Sequence, residues 1–130
     1  MKIYDENNFL LATFVKFNDI KENRVFHTSF NEEFQIGTFK YKKSKEIKRH
    51  IHKKNKRNIE HTSEAIVVLK GRLKIGVFDK NRNMVKNFEL VEKDSIVFHS
   101  GGHAIDVIED SIFIEFKQGP YNEQEDKVIF

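Results

Sequence analysis

From Glu64 to Phe116 the chain is divided by turn signals into apolar runs of five to seven residues. That spacing restricts the fold more than any other feature of the sequence. The runs are "EAIVVLK", "RLKIGVF", "MVKNFEL", "SIVFH", "HAIDVI" and "SIFIEF". Between them lie Lys70-Gly71, "DKNRN", "EKDS", "SGG" and "EDS", residue types that accept turn geometry. In "RLKIGVF", Leu73, Ile75 and Val77 fall on one face and Arg72, Lys74, Gly76 and Phe78 on the other. This is the alternation of a half-buried strand. "EAIVVLK" is almost continuously apolar, as expected of a strand buried on both faces. Upstream, "FLLATFVKF", "RVFHTSF" and "FQIGTFKY" also have strand character. No segment has convincing helical spacing, and Pro120 is the single proline. Many short strands joined by tight turns predict an all-β sandwich or barrel. A small barrel also leaves a mouth in which a ligand can sit.

The chain of 130 residues is one domain of ordinary size, long enough to bury a core without staples. Its 13 phenylalanines, against 3 tyrosines and no tryptophan, supply much of the filling. The absence of cysteine excludes disulfides, thiolate metal sites and a cysteine nucleophile, and fits a reducing compartment. The apolar part of "MKIYDENNFLLATFVKF" is broken by polar and charged residues, unlike a signal peptide. No run approaches the roughly 18 apolar residues of a membrane span. A soluble, cytoplasmic protein with no membrane partner is expected.

The net charge of +3 is unevenly spread: ten Lys/Arg and one acid, Glu46, lie between Lys40 and Arg57. Such a segment is either a solvated loop or edge, or an attractor of phosphates and carboxylates. Nucleic acid is not the expected partner. Phe39 and Tyr41 stand only at the edge of the segment, so interleaved aromatics for base stacking are missing.

Four residues carry the chemistry. His50 and His52 in "KRHIHKK" would present two imidazoles on one face if the segment is a strand. Otherwise they are two histidines of a solvated loop. Glu64 heads the buried strand on the side of Ile66 and Val68, where an unpaired carboxylate is costly. His103 follows "SGG" on the side of Ile105 and Val107. Three neutral imidazoles and one carboxylate suit a divalent metal, Fe, Mn, Ni or Zn, with positions left for water or substrate. His61 and His99 are further candidate ligands. Arg57, Thr62 and His99 are candidate substrate contacts, and Asp106 and Glu115 are candidate acid/base groups if they face inward.

The series "HIH", then Glu64, six residues and Gly71, followed by "SGGH", resembles the cupin superfamily. The tail "KQGPYNEQEDKVIF" is similar to that of small, poorly characterised bacterial cupins connected with surface-polysaccharide and sugar-nucleotide pathways. The resemblance implies a cupin-type double-stranded β-helix, a small jelly-roll barrel. Its core would span roughly residues 35–117, with N-terminal strands in 1–34 and a tail in 118–130. It also implies metal ligation by His50, His52, Glu64 and His103. Several features depart from the pattern, among them His99 at the second motif's usual proline position. Eleven residues separate His52 from Glu64, and the second motif opens with Lys93-Asp94 and ends one residue short at "GGH".

The expected function is that of a divalent-metal-binding cupin acting on a small polar or anionic sugar or sugar-nucleotide derivative in polysaccharide-related metabolism. Whether it is an enzyme stays open, with metal-dependent isomerase, epimerase and dioxygenase as the candidate activities. One alternative is a non-catalytic small-ligand sensor. Another is a metal-free sugar-nucleotide isomerase or epimerase whose histidines act as acid and base. A homodimer is expected, with "NFLLATFVKF" as its candidate interface.

Overall fold

The computed structural model describes residues 1–122 and 124–130. Among the described residues the chain forms ten strands: β1 (Lys2–Tyr4), β2 (Leu10–Val15), β3 (Asn23–Phe26), β4 (Gly37–Lys40), β5 (Glu64–Lys70), β6 (Arg72–Phe78), β7 (Met84–Val91), β8 (Ser95–Phe98), β9 (Gly102–Val107) and β10 (Ile112–Lys117). A 3-10 turn covers Phe17–Asp19. The fold is therefore all-β, and every strand pair is antiparallel. No helix among the described residues is long and apolar enough to cross a membrane.

Five strands form one sheet in the order β1-β2-β8-β5-β10, and three form a second in the order β7-β6-β9. β3 and β4 make a separate hairpin. The two larger sheets pack face to face. Ala12, Phe14, Ile66, Val68, Ile96 and Phe98 come from one, and Leu73, Ile75, Val77 and Leu90 from the other. Phe14 stacks on Phe88 across the gap, with ring centroids 5.1 Å apart. The alternation of β6 is the reason it sits where it does. Leu73, Ile75 and Val77 are fully buried, while Arg72 and Lys74 face water. The turns around it are made by residues suited to them. Gly71 takes a φ of +87° between β5 and β6, where a Cβ would run into Ser111 and the Asp110 carbonyl. Asp79 accepts hydrogen bonds from the backbone N–H of Asn81 and Asn83, both at 2.8 Å, and closes the β6–β7 hairpin.

Three expectations need correction. β5 is not buried on both faces. Ile66 and Val68 are fully buried, but Leu69 on the other face is 48 % exposed, because β5 lies next to the edge strand β10 and its outer side is uncovered there. The middle of the segment "NFLLATFVKF" is not a free face, although Phe9 and Phe17 at its ends are exposed. β2 is flanked by β1 and β8, and Leu11 to Val15 are buried within the chain's own fold. The third concerns residues 41–63, which form no strand, and every residue from 42 to 62 is exposed. The strand face imagined for His50 and His52 is therefore not formed. A lysine-rich stretch offers no alternating apolar side for a sheet to bury.

Candidate functional site

The first residue of β5 and the second of β9 meet at one end of the sandwich. Glu64 shares its face with Ile66 and Val68, and His103 shares its face with Ile105, so both side chains point between the sheets. His103 pairs in register with Val77 on β6, and Glu64 with Phe98 on β8. The two sheets thus deliver a carboxylate and an imidazole to one place. With its proton on Nε2, His103 donates to Glu64 Oε2 at 2.9 Å. The imidazole lies flat on the Phe98 ring, with centroids 4.1 Å apart and planes 10° from parallel. The side chains of Glu64 and His103 are 15 % and 29 % exposed, enough for a ligand to reach them.

The second oxygen of Glu64 has a different partner. Lys117, the last residue of β10, stands opposite Glu64 in the ladder, and its Nζ donates to Glu64 Oε1 at 3.4 Å. The same ammonium donates to Asp126 Oδ2 at 3.4 Å and lies 3.8 Å from Glu115 Oε1. It also lies 4.1 Å from the centroid of the Tyr121 ring, a cation–π contact. The next residue, Gln118, accepts the backbone N–H of Ser63 through Oε1 at 2.8 Å. The hydrogen bond from His103 holds the Glu64 carboxyl below its ordinary pKa, against the opposing effect of burial, with Lys117 adding to the lowering. Burial works against the charge on Lys117, but Asp126 and Glu64 outweigh it and raise its pKa.

His50 and His52 form a second pair, outside the sandwich. Their ring centroids are 5.2 Å apart on the exposed segment. His50 Nδ1 lies 2.8 Å from the Lys48 carbonyl, so a proton on Nδ1 leaves Nε2 as a lone-pair donor. The four expected ligands are therefore brought together two by two. Among the described residues, no group of three or more His, Asp or Glu has a metal-holding arrangement. Imidazole and carboxylate are donor types a borderline divalent ion accepts. The 2.9 Å contact between Glu64 Oε2 and His103 Nε2 is a hydrogen bond, so both atoms could serve a metal only after that proton leaves and the contact opens.

The remaining candidates lie elsewhere. His99 is buried and hydrogen-bonded through Nε2 to Thr13 Oγ1 at 3.0 Å. Together with His61, Ser63, Tyr4 and Phe9 it lines a cleft of about 440 Å³. Arg57 lines a smaller cleft of about 220 Å³ beside Asn31 and Glu32. Thr62 is exposed, and Asp106 faces outward beside Lys74 on β6. Glu115 faces the Lys117 cluster. Sequence reasoning passed over Lys117 and Asp126. The available signal was only the charged tail "KQGPYNEQED" directly after the last apolar run.

Comparison with family models, with curated proteins and with solved structures finds no match to this chain.

Proposed function

We propose that this chain is a cupin-type small jelly roll that binds a divalent metal through Glu64 and His103, with His50 and His52 completing the donor set. It acts in the cytoplasm on a small polar or anionic substrate, a sugar or sugar-nucleotide derivative. The observation that supports this most is that the two facing sheets bring a carboxylate, Glu64, and an imidazole, His103, together at one end of the sandwich, 2.9 Å apart and partly exposed. A metal held there would polarise a substrate carbonyl or hydroxyl as a Lewis acid. The chain's own residues do the rest. Phe98 keeps the His103 ring in plane, and Lys117 holds one oxygen of Glu64. The ten Lys/Arg between Lys40 and Arg57 draw an anionic substrate towards the segment that carries His50 and His52. In this reading the segment folds inward when the site fills.

The test is metal titration of the purified protein by calorimetry with Mn²⁺, Ni²⁺ and Zn²⁺, repeated on Glu64→Gln, His103→Gln and the double variant His50→Ala/His52→Ala. Stoichiometric binding that each variant weakens at least tenfold is expected. No binding by the wild type, or binding that all three variants retain, would sink the proposal.

A second reading has its own support in Lys117. The ammonium already pairs with Glu64 Oε1, so this carboxylate has a cationic partner without a metal. In a metal-free isomerase of sugar nucleotides, His103 would carry the proton and Glu64 would orient its ring. Turnover of a keto-sugar nucleotide that survives exhaustive chelation but not His103→Gln would select this reading.

A further inference from the structure

The end of the β5–β8 ladder sends side chains to both sides of the sheet. Glu64 stands opposite Phe98, and both point between the sheets. One step further in the same register Ser63 faces His99, and alternation turns both to the outer side. There they line the cleft of about 440 Å³, together with Tyr4, Phe9, Glu32 and Glu33. We propose that this cleft binds a hydroxylated ring that carries an ammonium group, of which a free amino sugar is the simplest case. The site is separate from Glu64 and His103 and does not rest on a metal there.

Three observations carry this. The first is a pair of unused polar atoms. Ser63 is 2 % exposed and His99 9 % exposed. His99 Nε2 pairs with Thr13 and the Ser63 backbone N–H goes to Gln118, but His99 Nδ1 and Ser63 Oγ have no hydrogen-bond partner among the described residues. Among those residues no sealed side-chain N or O lacks a partner, so these two atoms reach the surface, and the cleft is the surface they line. A buried residue that keeps one polar atom open to a cleft offers a hydrogen bond fixed before a ligand arrives. Burial holds the His99 pKa at about 4, so the imidazole is neutral near pH 7. A neutral imidazole and a hydroxyl each donate or accept, which suits the hydroxyls of a ligand.

The second is charge. In a chain with 23 Lys/Arg, this cleft is lined by two glutamates and by no lysine or arginine. Glu32 and Glu33 also border the smaller cleft with Arg57, yet among the described residues neither forms an ion pair. Lys2 acts on His99 and Lys80 lies over the Phe9 ring, but neither lines the cleft. Two carboxylates repel a phosphate, attract an ammonium and accept hydrogen bonds from hydroxyls. The third is shape. Phe9 and Tyr4 are exposed, and their ring faces suit the C–H face of a sugar ring or a cation. The volume lies within the range of about 300–1,000 Å³ of small-molecule sites.

The experiment titrates the full ¹⁵N-labelled chain with glucosamine, glucose and glucose 6-phosphate, in the presence of a chelator so that metal plays no part. Binding is read from the imidazole ¹⁵N signals of His99 and the amide signals of Glu32, Glu33 and Ser63. Glucosamine is expected to give saturable shifts at these residues. Its dissociation constant should be about tenfold lower than that of glucose, the effect of one charge-assisted hydrogen bond. Glucose 6-phosphate should give no shifts there. Ser63→Ala should weaken glucosamine binding about three- to tenfold. The double variant Glu32→Gln/Glu33→Gln should remove the advantage of glucosamine over glucose. Circular dichroism checks that each variant keeps its strand content. No saturable shift with glucosamine, or glucose 6-phosphate binding as tightly as glucosamine, overturns the proposal. So does an unchanged glucosamine affinity in either folded variant. Equal affinities for glucosamine and glucose overturn the ammonium assignment. If Ser63→Ala does not fold, the double glutamate variant decides alone.

Discussion

His99 shows what the fold demands of a single side chain. It is 9 % exposed, donates its backbone N–H to the Leu11 carbonyl and pairs through its ring with Thr13. Burial, with the Lys2 charge adding to it, lowers its pKa to about 4 from an ordinary value of 6.5. The sign of the consequence follows from proton counting. Between those two values the unfolded chain binds a proton at this histidine and the folded chain does not, so stability falls as the pH drops through that window. Above it the full contribution is present. Partial burial keeps the loss to no more than about 3 kcal/mol. His99→Gln keeps a hydrogen-bonding group for Thr13 and removes the titration. Urea unfolding at pH 7 and near pH 4.5 should show a smaller drop for the variant than for the wild type. Parallel losses in the two proteins would mean that another group carries the acid sensitivity.

Among the elements, β6 is one of the main contributors to the core. It is the central strand of its sheet and supplies three of the fully buried side chains. Ile75→Ala should therefore cost about 2–5 kcal/mol, the range for removing a large buried aliphatic side chain, and denaturant unfolding measures it. This strand was fully legible beforehand, since alternation and flanking turns are local signals. The same holds for β5 and β7 to β10, which fall where the apolar runs fall. Glu64 and His103 were legible for the same reason: a strand's inward parity is written in its neighbours. The partnership of Glu64 with Lys117 was not. It depends on which strand lies beside β5 and in what register, and two residues 53 positions apart share no local pattern. The exposure of Leu69 was hidden likewise, because coverage of a face depends on what packs over it. "HIH" has i, i+2 spacing without an apolar alternation around it, and spacing alone does not make a strand.

At the level of the whole molecule, charge is separated from structure. The basic residues between 42 and 57 project into water from a segment without strands, and the core lies between the two larger sheets. Replacing Lys48, Arg49, Lys53 and Lys54 together with Gln should leave the denaturant midpoint nearly unchanged, within about 0.5 kcal/mol per substitution. The same change should reduce affinity for inorganic pyrophosphate at low ionic strength, measured by calorimetry. A large loss of stability would show that the segment packs onto the fold more closely than its exposure implies. The topology also sets an order in time. Thr13 and His99 are 86 positions apart, and β2 reaches its second neighbour only when β8 exists. During synthesis, the apolar stretch Leu11–Val15 emerges with β1 as its only available partner and keeps an open edge until β8 has left the ribosome. The Glu64 cluster draws on Phe98, His103, Lys117 and Asp126, so it closes later still. Folding dominated by such distant pairings belongs to the millisecond-to-second regime. A newly made molecule passes through a stage in which its core strand has an open edge while Glu64, His103 and Lys117 have not yet met.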